Sequence, residues 1–76
     1  MRIQAVKPLA HAKLHIIADD GRIGIFNLTP YLHYEAFVEL QDAEALAQVT
    51  NGGYFIEWAS GADLSADTIE AHWQLV

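Results

Sequence analysis

The stretch Ile56–Ile69, IEWASGADLSADTI, decides the fold of this chain, because it combines a strand, a turn and a helix start. Ile56 and Trp58 alternate with Glu57, which is the period-two pattern of a half-buried strand. Ser60-Gly61 then interrupts that pattern, as residues of a turn do. We expect Trp58 to be a core residue, because it is in phase with Ile56.

The second half of this stretch predicts a helix over residues 65–72. Ser65 is a good N-cap, since a serine hydroxyl can accept a hydrogen bond from a free amide of the first turn. Asp67 falls in that first turn, where the helix dipole favours a carboxylate. Asp63 and Asp67 could instead form a pair of catalytic carboxylates, but capping and turn formation explain both residues without any chemistry.

The rest of the sequence predicts a small α+β domain. Asp19-Asp20-Gly21 predicts a hairpin turn between two strands, because these residue types tolerate positive φ. Thr29 and Pro30 predict a helix entry, with Thr29 as its N-cap, and Asp42 predicts another. We expect one antiparallel sheet of about four strands with two or three short helices packed on it, all within a single domain of residues 1–76. The predicted strands cover residues 3–9, 12–18, 22–27 and 54–58, with Pro8 ending the first of them and Tyr54 facing the core. Residues 31–40 are expected to form one or more short helical turns, and longer helices are predicted over residues 42–49 and 65–72.

The segment from Trp58 to Ile69 resembles the family catalogued as domain of unknown function 2442. The hallmark of that family is a Trp followed closely by Gly-x-Asp-Leu-Ser/Thr-x-Asp. Ala59 and Ala66 depart from it, standing where proline is frequent. The likeness extends over about residues 6 to 69, through Val6-Lys7-Pro8-Leu9, Asp19-Asp20-Gly21, Asn27-Leu28, Phe37, Leu40 and Asp42. The resemblance implies a small α+β fold and no established activity; some members are fused to helix-turn-helix segments or encoded beside small toxin-like partners, which implies regulation.

Composition and charge exclude several classes of function. Ten acidic residues against four basic ones give a net charge of −6, whereas direct nucleic-acid binding requires clustered Lys and Arg. There is no cysteine, which fits a reducing compartment. No signal peptide or membrane-spanning run of about 20 apolar residues is recognisable. We therefore expect a cytoplasmic protein that binds neither nucleic acid nor a membrane.

No residue set predicts catalysis or a cofactor. His11 and His15 have the i, i+4 spacing of helical metal ligands, but here they straddle a strand, where that spacing does not bring them together. There is no nucleophile elbow and no phosphate-binding loop. We predict no catalytic, cofactor-binding or metal-binding residues, and no enzyme.

The residues that we predict to bind a partner are mainly acidic. If residues 31–40 form a helix, Glu35 and Glu39 share one face, and neighbouring acids extend the negative field, Glu70 among them. Trp73 is a separate interface candidate, because it precedes the apolar residues Leu75 and Val76. The complete predicted partner-binding set is Glu35, Glu39, Asp42, Glu44 and Trp73.

These features lead to a ranked set of functional hypotheses. The first is a regulatory module that binds a protein with a basic surface, for example an acidic decoy that inhibits a nucleic-acid-binding complex of bacterial defence, as anti-CRISPR proteins do. The second is an antitoxin-like or transcription-linked component that binds a small toxin-like protein through Trp73 and Leu75. The third is a small ligand- or metal-dependent enzyme. We expect a monomer or a weak homodimer.

Overall fold

The computed structural model describes all residues 1–76 and places them in two antiparallel sheets, two α-helices and two 3₁₀ helices. The 3₁₀ helices are Thr29–Tyr31 and Glu35–Gln41. The α-helices are α1, Ala43–Ala47, and α2, Ala66–His72. The strands in chain order are β1 Ile3–Leu9, β2 Lys13–Ala18, β3 Ile23–Asn27, β4 Val49–Asn51, β5 Phe55–Trp58, β6 Asp63–Ser65 and β7 Gln74–Leu75. The α+β class, with a four-stranded antiparallel sheet and short helices, is confirmed. The fourth strand of that sheet is β7, however, and the strand predicted over residues 54–58 lies as β5 in the second sheet.

The first sheet has the strand order β1-β2-β3-β7. The alternation predicted for β2 is present, since Leu14, Ile16 and Ala18 are fully buried on one face. The β2–β3 turn is the predicted hairpin, and Gly21 adopts there a φ of 92° that glycine tolerates without a steric penalty. Pro8 does not end β1, because it stays paired with Leu14 and the strand continues to Leu9.

The second sheet, of order β4-β5-β6, was not predicted. Its two outer strands have three residues each, too short to show a period of two in the sequence. Val49 begins β4 instead of continuing the helix predicted over residues 42–49. Tyr54 precedes β5 and is 67% exposed, so it does not face the core with Ile56 and Trp58. The two sheets are joined at Ile3, whose amide donates to the Gly53 carbonyl and whose carbonyl accepts from the Asn51 side chain.

One core fills the space between the two sheets and the helices. The indole of Trp58 is 2% exposed, and its Nε1 donates to the Leu46 carbonyl of α1 at 2.9 Å. Phe37 packs edge-on against Trp58, with ring centroids 6.3 Å apart. Trp58 is thus the core residue that the sequence predicts, and it ties β5 to α1. The other large members of this cluster are Ile3, Leu14, Ile16, Phe26, Leu28, Leu40, Leu46, Ile56, Leu64 and Ile69.

Two helix starts follow the prediction and one does not. The Ser65 hydroxyl accepts from the Thr68 amide at 3.1 Å, and the Asp42 carboxylate accepts from the Glu44 amide at 3.3 Å. Thr29, in contrast, is not an N-cap, because the 3₁₀ helix already begins at Thr29 and no side chain caps it. The backbone amide of Thr29 instead donates a hydrogen bond to Oδ1 of Asn27 at 3.1 Å.

Candidate functional site

An acidic ridge runs along the second 3₁₀ helix and the start of α1. We define it by the four predicted acids Glu35, Glu39, Asp42 and Glu44, all of which are exposed. None of the four forms an ion pair. The only hydrogen bond that their side chains form is the one that the Asp42 carboxylate accepts from the Glu44 amide at the start of α1. The ridge therefore presents uncompensated carboxylates to solvent.

The geometry within the ridge differs from that predicted. A helix of about three residues per turn places positions four apart roughly 120° from each other, so Glu35 and Glu39 do not share one face. Phe37 and Leu40, three residues apart, form the row that faces the core, and Leu40 is 1% exposed. Glu35 and Glu39 lie on the two outer rows.

Two small hollows nevertheless connect the four carboxylates. Glu35 and Glu39 border a hollow of about 280 Å³ together with the Ser60–Ala62 turn. Glu39, Asp42 and Glu44 border the next, of about 310 Å³. Because Glu39 and Ser60 line both hollows, the ridge is continuous, and neither hollow is lined by a Lys or an Arg.

The two arginine side chains lie elsewhere and neutralise other acids, while Lys7 and Lys13 form no ion pair. Arg22 contacts Asp20 at 2.8 Å and Glu70 at 2.7 Å, while Arg2 lies 3.6 Å from Asp19. The hydrogen bond from Arg22 lowers the pKa of the Glu70 carboxyl below its ordinary value, with a second contribution from the Met1 amino group. Glu70 is thus part of an ion-pair network and does not extend the field of the acidic ridge.

Trp73 lies apart from the acidic ridge, on the first sheet. Its ring covers Gly24 of β3, where a β-carbon would come within 2.6 Å of Trp73 Cδ2. The Arg22 guanidinium lies 5.6 Å from the centroid of the same ring. The indole is therefore half-buried and held in place, whereas Leu75 of the adjoining β7 is 59% exposed.

The histidines and the carboxylates of the Trp58 motif form no metal centre. No group of three or more His, Asp and Glu side chains is arranged to hold a metal ion. His11 lies in the β1–β2 turn and His15 in β2, facing Lys7 across the ladder. Asp67 occupies the first turn of α2 as predicted. Asp63 lies opposite Glu57 in the register of strands β5 and β6. No helix has the length and apolar content needed to cross a bilayer.

The largest hollow, of about 690 Å³, lies on another side of the α1 segment. It was not predicted from the sequence. We call it the apolar hollow. Most of its lining is hydrophobic, and it contains no Asp, Glu, Lys or Arg. Its lining residues come from chain segments that are far apart, so no local motif could have indicated it. They are Pro8, Leu9, Ala10, His11, Ala12, Thr29, Leu32, Leu40, Gln41, Ala43, Leu46 and Ala47.

Comparison with known families identifies the family of this chain. A family model described as protein of unknown function (DUF2442) matches residues 3–74, nearly the whole chain. The chain belongs to this family. No curated protein and no solved structure shows significant similarity to it. In this DUF2442 domain, the motif residues Trp58, Leu64 and Ser65 serve as core and cap.

Proposed function

We propose that this DUF2442 domain is a non-enzymatic, cytoplasmic module that binds a partner protein through the acidic ridge and thereby regulates it. The observation that carries the proposal is the segregation of charge. The two arginines pair with Asp19, Asp20 and Glu70, and the ridge keeps its four carboxylates free. A continuous field of one sign favours association with a surface of the opposite sign and selects against other partners.

The narrower form of the proposal is an acidic decoy that inhibits a nucleic-acid-binding complex, such as one of bacterial defence. A groove that binds nucleic acid is lined with Lys and Arg that neutralise phosphates. Exposed carboxylates in a row meet the same cations and would exclude the nucleic acid from them. The decoy would then act as an inhibitor of the anti-CRISPR type.

The test compares three baits in pull-downs from host cells, with bound proteins identified by mass spectrometry. The baits are the wild-type protein, the ridge variant Glu35→Lys/Glu39→Lys, and the matched control Glu57→Lys/Asp63→Lys. The control reverses two exposed acids outside the ridge and changes the net charge by the same amount. We expect wild type and control to retain the same partner in low salt and to release it in high salt, and the ridge variant to lose it.

A partner retained equally by all three baits would overturn the role of the ridge. For the narrower form, the captured complex is titrated with labelled DNA or RNA in the presence of the wild-type protein. Competition is expected; simultaneous binding of nucleic acid and the wild-type protein would contradict the decoy.

A second candidate function is that of an antitoxin-like or transcription-linked component, and the exposure of β7 favours it. Leu75, on the outer strand β7 of the first sheet, is 59% exposed, and Val76, directly after it, is 86% exposed. An apolar contact at this edge would hold a partner in high salt, unlike the ridge. A salt-resistant partner that is lost with Leu75→Asp and kept by the ridge variant would favour this function over the first.

A further inference from the structure

The residues between Glu39 and Gln48 separate two surfaces of opposite character. Glu39, Asp42, Glu44 and Gln48 border the hollow of about 310 Å³ on the acidic ridge. Leu40, Gln41, Ala43, Leu46 and Ala47, which alternate with them in the chain, border the apolar hollow. A ligand that follows this segment therefore meets carboxylates on one side and an uncharged recess on the other.

The apolar hollow has the size and chemistry of a binding recess. Its volume of about 690 Å³ is within the roughly 300–1,000 Å³ typical of small-ligand sites, which are mostly apolar with a few polar groups. His11 and Thr29 are polar residues of the rim, and Gln41 is held by a hydrogen bond from its side-chain amide to the Leu32 carbonyl at 2.9 Å. Leu40 and Leu46 belong to the core and make the lining continuous with it.

The turn that forms one wall of this recess has an unusual backbone. His11 and Ala12 both have positive φ, 64° and 58°, which is uncommon for residues other than glycine. The Ala12 carbonyl accepts a hydrogen bond from the Leu28 amide at 2.8 Å, which holds the turn against the first 3₁₀ helix. The wall is therefore held in place before any ligand arrives, which reduces the entropy lost on binding.

We infer that the apolar hollow receives one aromatic side chain from a basic segment of the partner, whose flanking Arg or Lys residues contact the acidic ridge. This inference rests on the proposed function and adds an apolar anchor, worth about tenfold in affinity, to the salt-sensitive contacts of the ridge. Exposed ion pairs contribute little net affinity but speed encounter, whereas aromatic side chains buried in a pocket dominate most interfaces. The charge complementarity of the ridge, and the position of the hollow on the other side of the same chain segment, select a basic segment with an aromatic residue as the occupant.

The test uses two capped peptide amides, Arg-Arg-Trp-Arg-Arg and Arg-Arg-Ala-Arg-Arg, which carry the same charge. Each is titrated into ¹⁵N-labelled protein and followed by two-dimensional NMR. The tryptophan peptide is expected to bind about tenfold more tightly, as partial burial of one large apolar side chain implies. It should also shift the amide signals of Leu40, Gln41 and Ala47, which the alanine peptide leaves in place.

Two variants that replace an alanine by tryptophan provide the matched comparison. Ala47→Trp fills the apolar hollow from α1, while Ala71→Trp adds the same ring at an exposed position of α2 that lines no hollow. Both positions are exposed, so both variants are expected to fold, which the dispersion of their NMR spectra checks. Ala47→Trp should abolish the tenfold preference for the tryptophan peptide, and Ala71→Trp should preserve it.

The outcomes separate this inference from the proposed function. Equal binding of both peptides, with shifts confined to the acidic ridge, would overturn the aromatic anchor and leave the ridge proposal standing. A tryptophan preference that survives in the Glu35→Lys/Glu39→Lys variant with unchanged affinity would support the anchor and overturn the role of the ridge. Absence of binding by either peptide at millimolar concentration would overturn both.

Discussion

Replacement of Trp58 by phenylalanine tests the physical account of the family motif most directly. The substitution keeps an aromatic ring in the core but removes the indole N–H that donates to the Leu46 carbonyl at 2.9 Å. No other hydrogen bond to that carbonyl replaces it. Trp58→Phe therefore leaves a buried acceptor without a partner and a void where the larger ring was.

The magnitude follows from these two losses. An unpaired buried backbone acceptor costs about 1–3 kcal/mol, and a smaller core side chain adds about 1 kcal/mol for lost contacts and cavity. We expect Trp58→Phe to lower the free energy of unfolding by about 2–4 kcal/mol. A chain of this length has roughly 4–11 kcal/mol in total, so the loss is a large fraction of its stability.

Trp73→Phe provides the matched control in the same assay, urea unfolding followed by far-ultraviolet circular dichroism. The Trp73 ring is half-buried, and its indole N–H donates to no protein group. Its replacement should cost less than about 1 kcal/mol, chiefly through the weaker contact with Arg22. Equal losses for the two variants, or a loss below about 1 kcal/mol for Trp58→Phe, would refute the role given to the Trp58–Leu46 bond.

Three further predictions concern other contacts. Gly24→Ala should lower the free energy of unfolding by about 1–3 kcal/mol, because its β-carbon overlaps the Trp73 ring; in a double-mutant cycle, Trp73→Ala should relieve that cost, and simple additivity would contradict the contact. Ser65→Ala should cost about 1 kcal/mol in urea unfolding through the lost N-cap, with Ser65→Asp close to wild type. Since Arg22 lowers the pKa of the Glu70 carboxyl, the ionised carboxylate stabilises the fold above the pKa that it has in the unfolded chain. That contribution disappears as pH falls through the lower folded-state pKa of Glu70. Glu70→Gln should therefore flatten the acid side of a plot of melting temperature against pH. An unchanged slope would contradict the ion pair.

The strands and helix starts that could be predicted from the sequence are those with local signals. The hairpin around Gly21, the alternation in β2 and the Ser65 cap each depend on residues within a few positions of one another. The strands β4, β6 and β7 have two or three residues and are defined by their partners. Pairing of Gln74 with Ile25, for example, has no local signature.

The composition of the acidic ridge could be predicted, but its geometry could not. Four exposed acids in ten residues are visible in the sequence, whereas the choice between an α-helix and a 3₁₀ helix depends on how Phe37 and Leu40 reach the core. The pairing of Glu70 with Arg22 spans much of the chain and removes Glu70 from the field. The apolar hollow has no sequence signal at all, because its walls meet only in the folded chain.

The pairing of β7 with β3 has a consequence for folding during synthesis. β3 and β7 lie in opposite halves of the chain, and the whole second sheet is synthesised between them. Until β7 leaves the ribosome, β3 has an open edge and Gly24 lacks the ring that covers it. A nascent chain that has paired β1, β2 and β3 but not yet β7 would expose that edge to pairing with other nascent chains. Slow translation of the last part of this sequence would prolong that exposure.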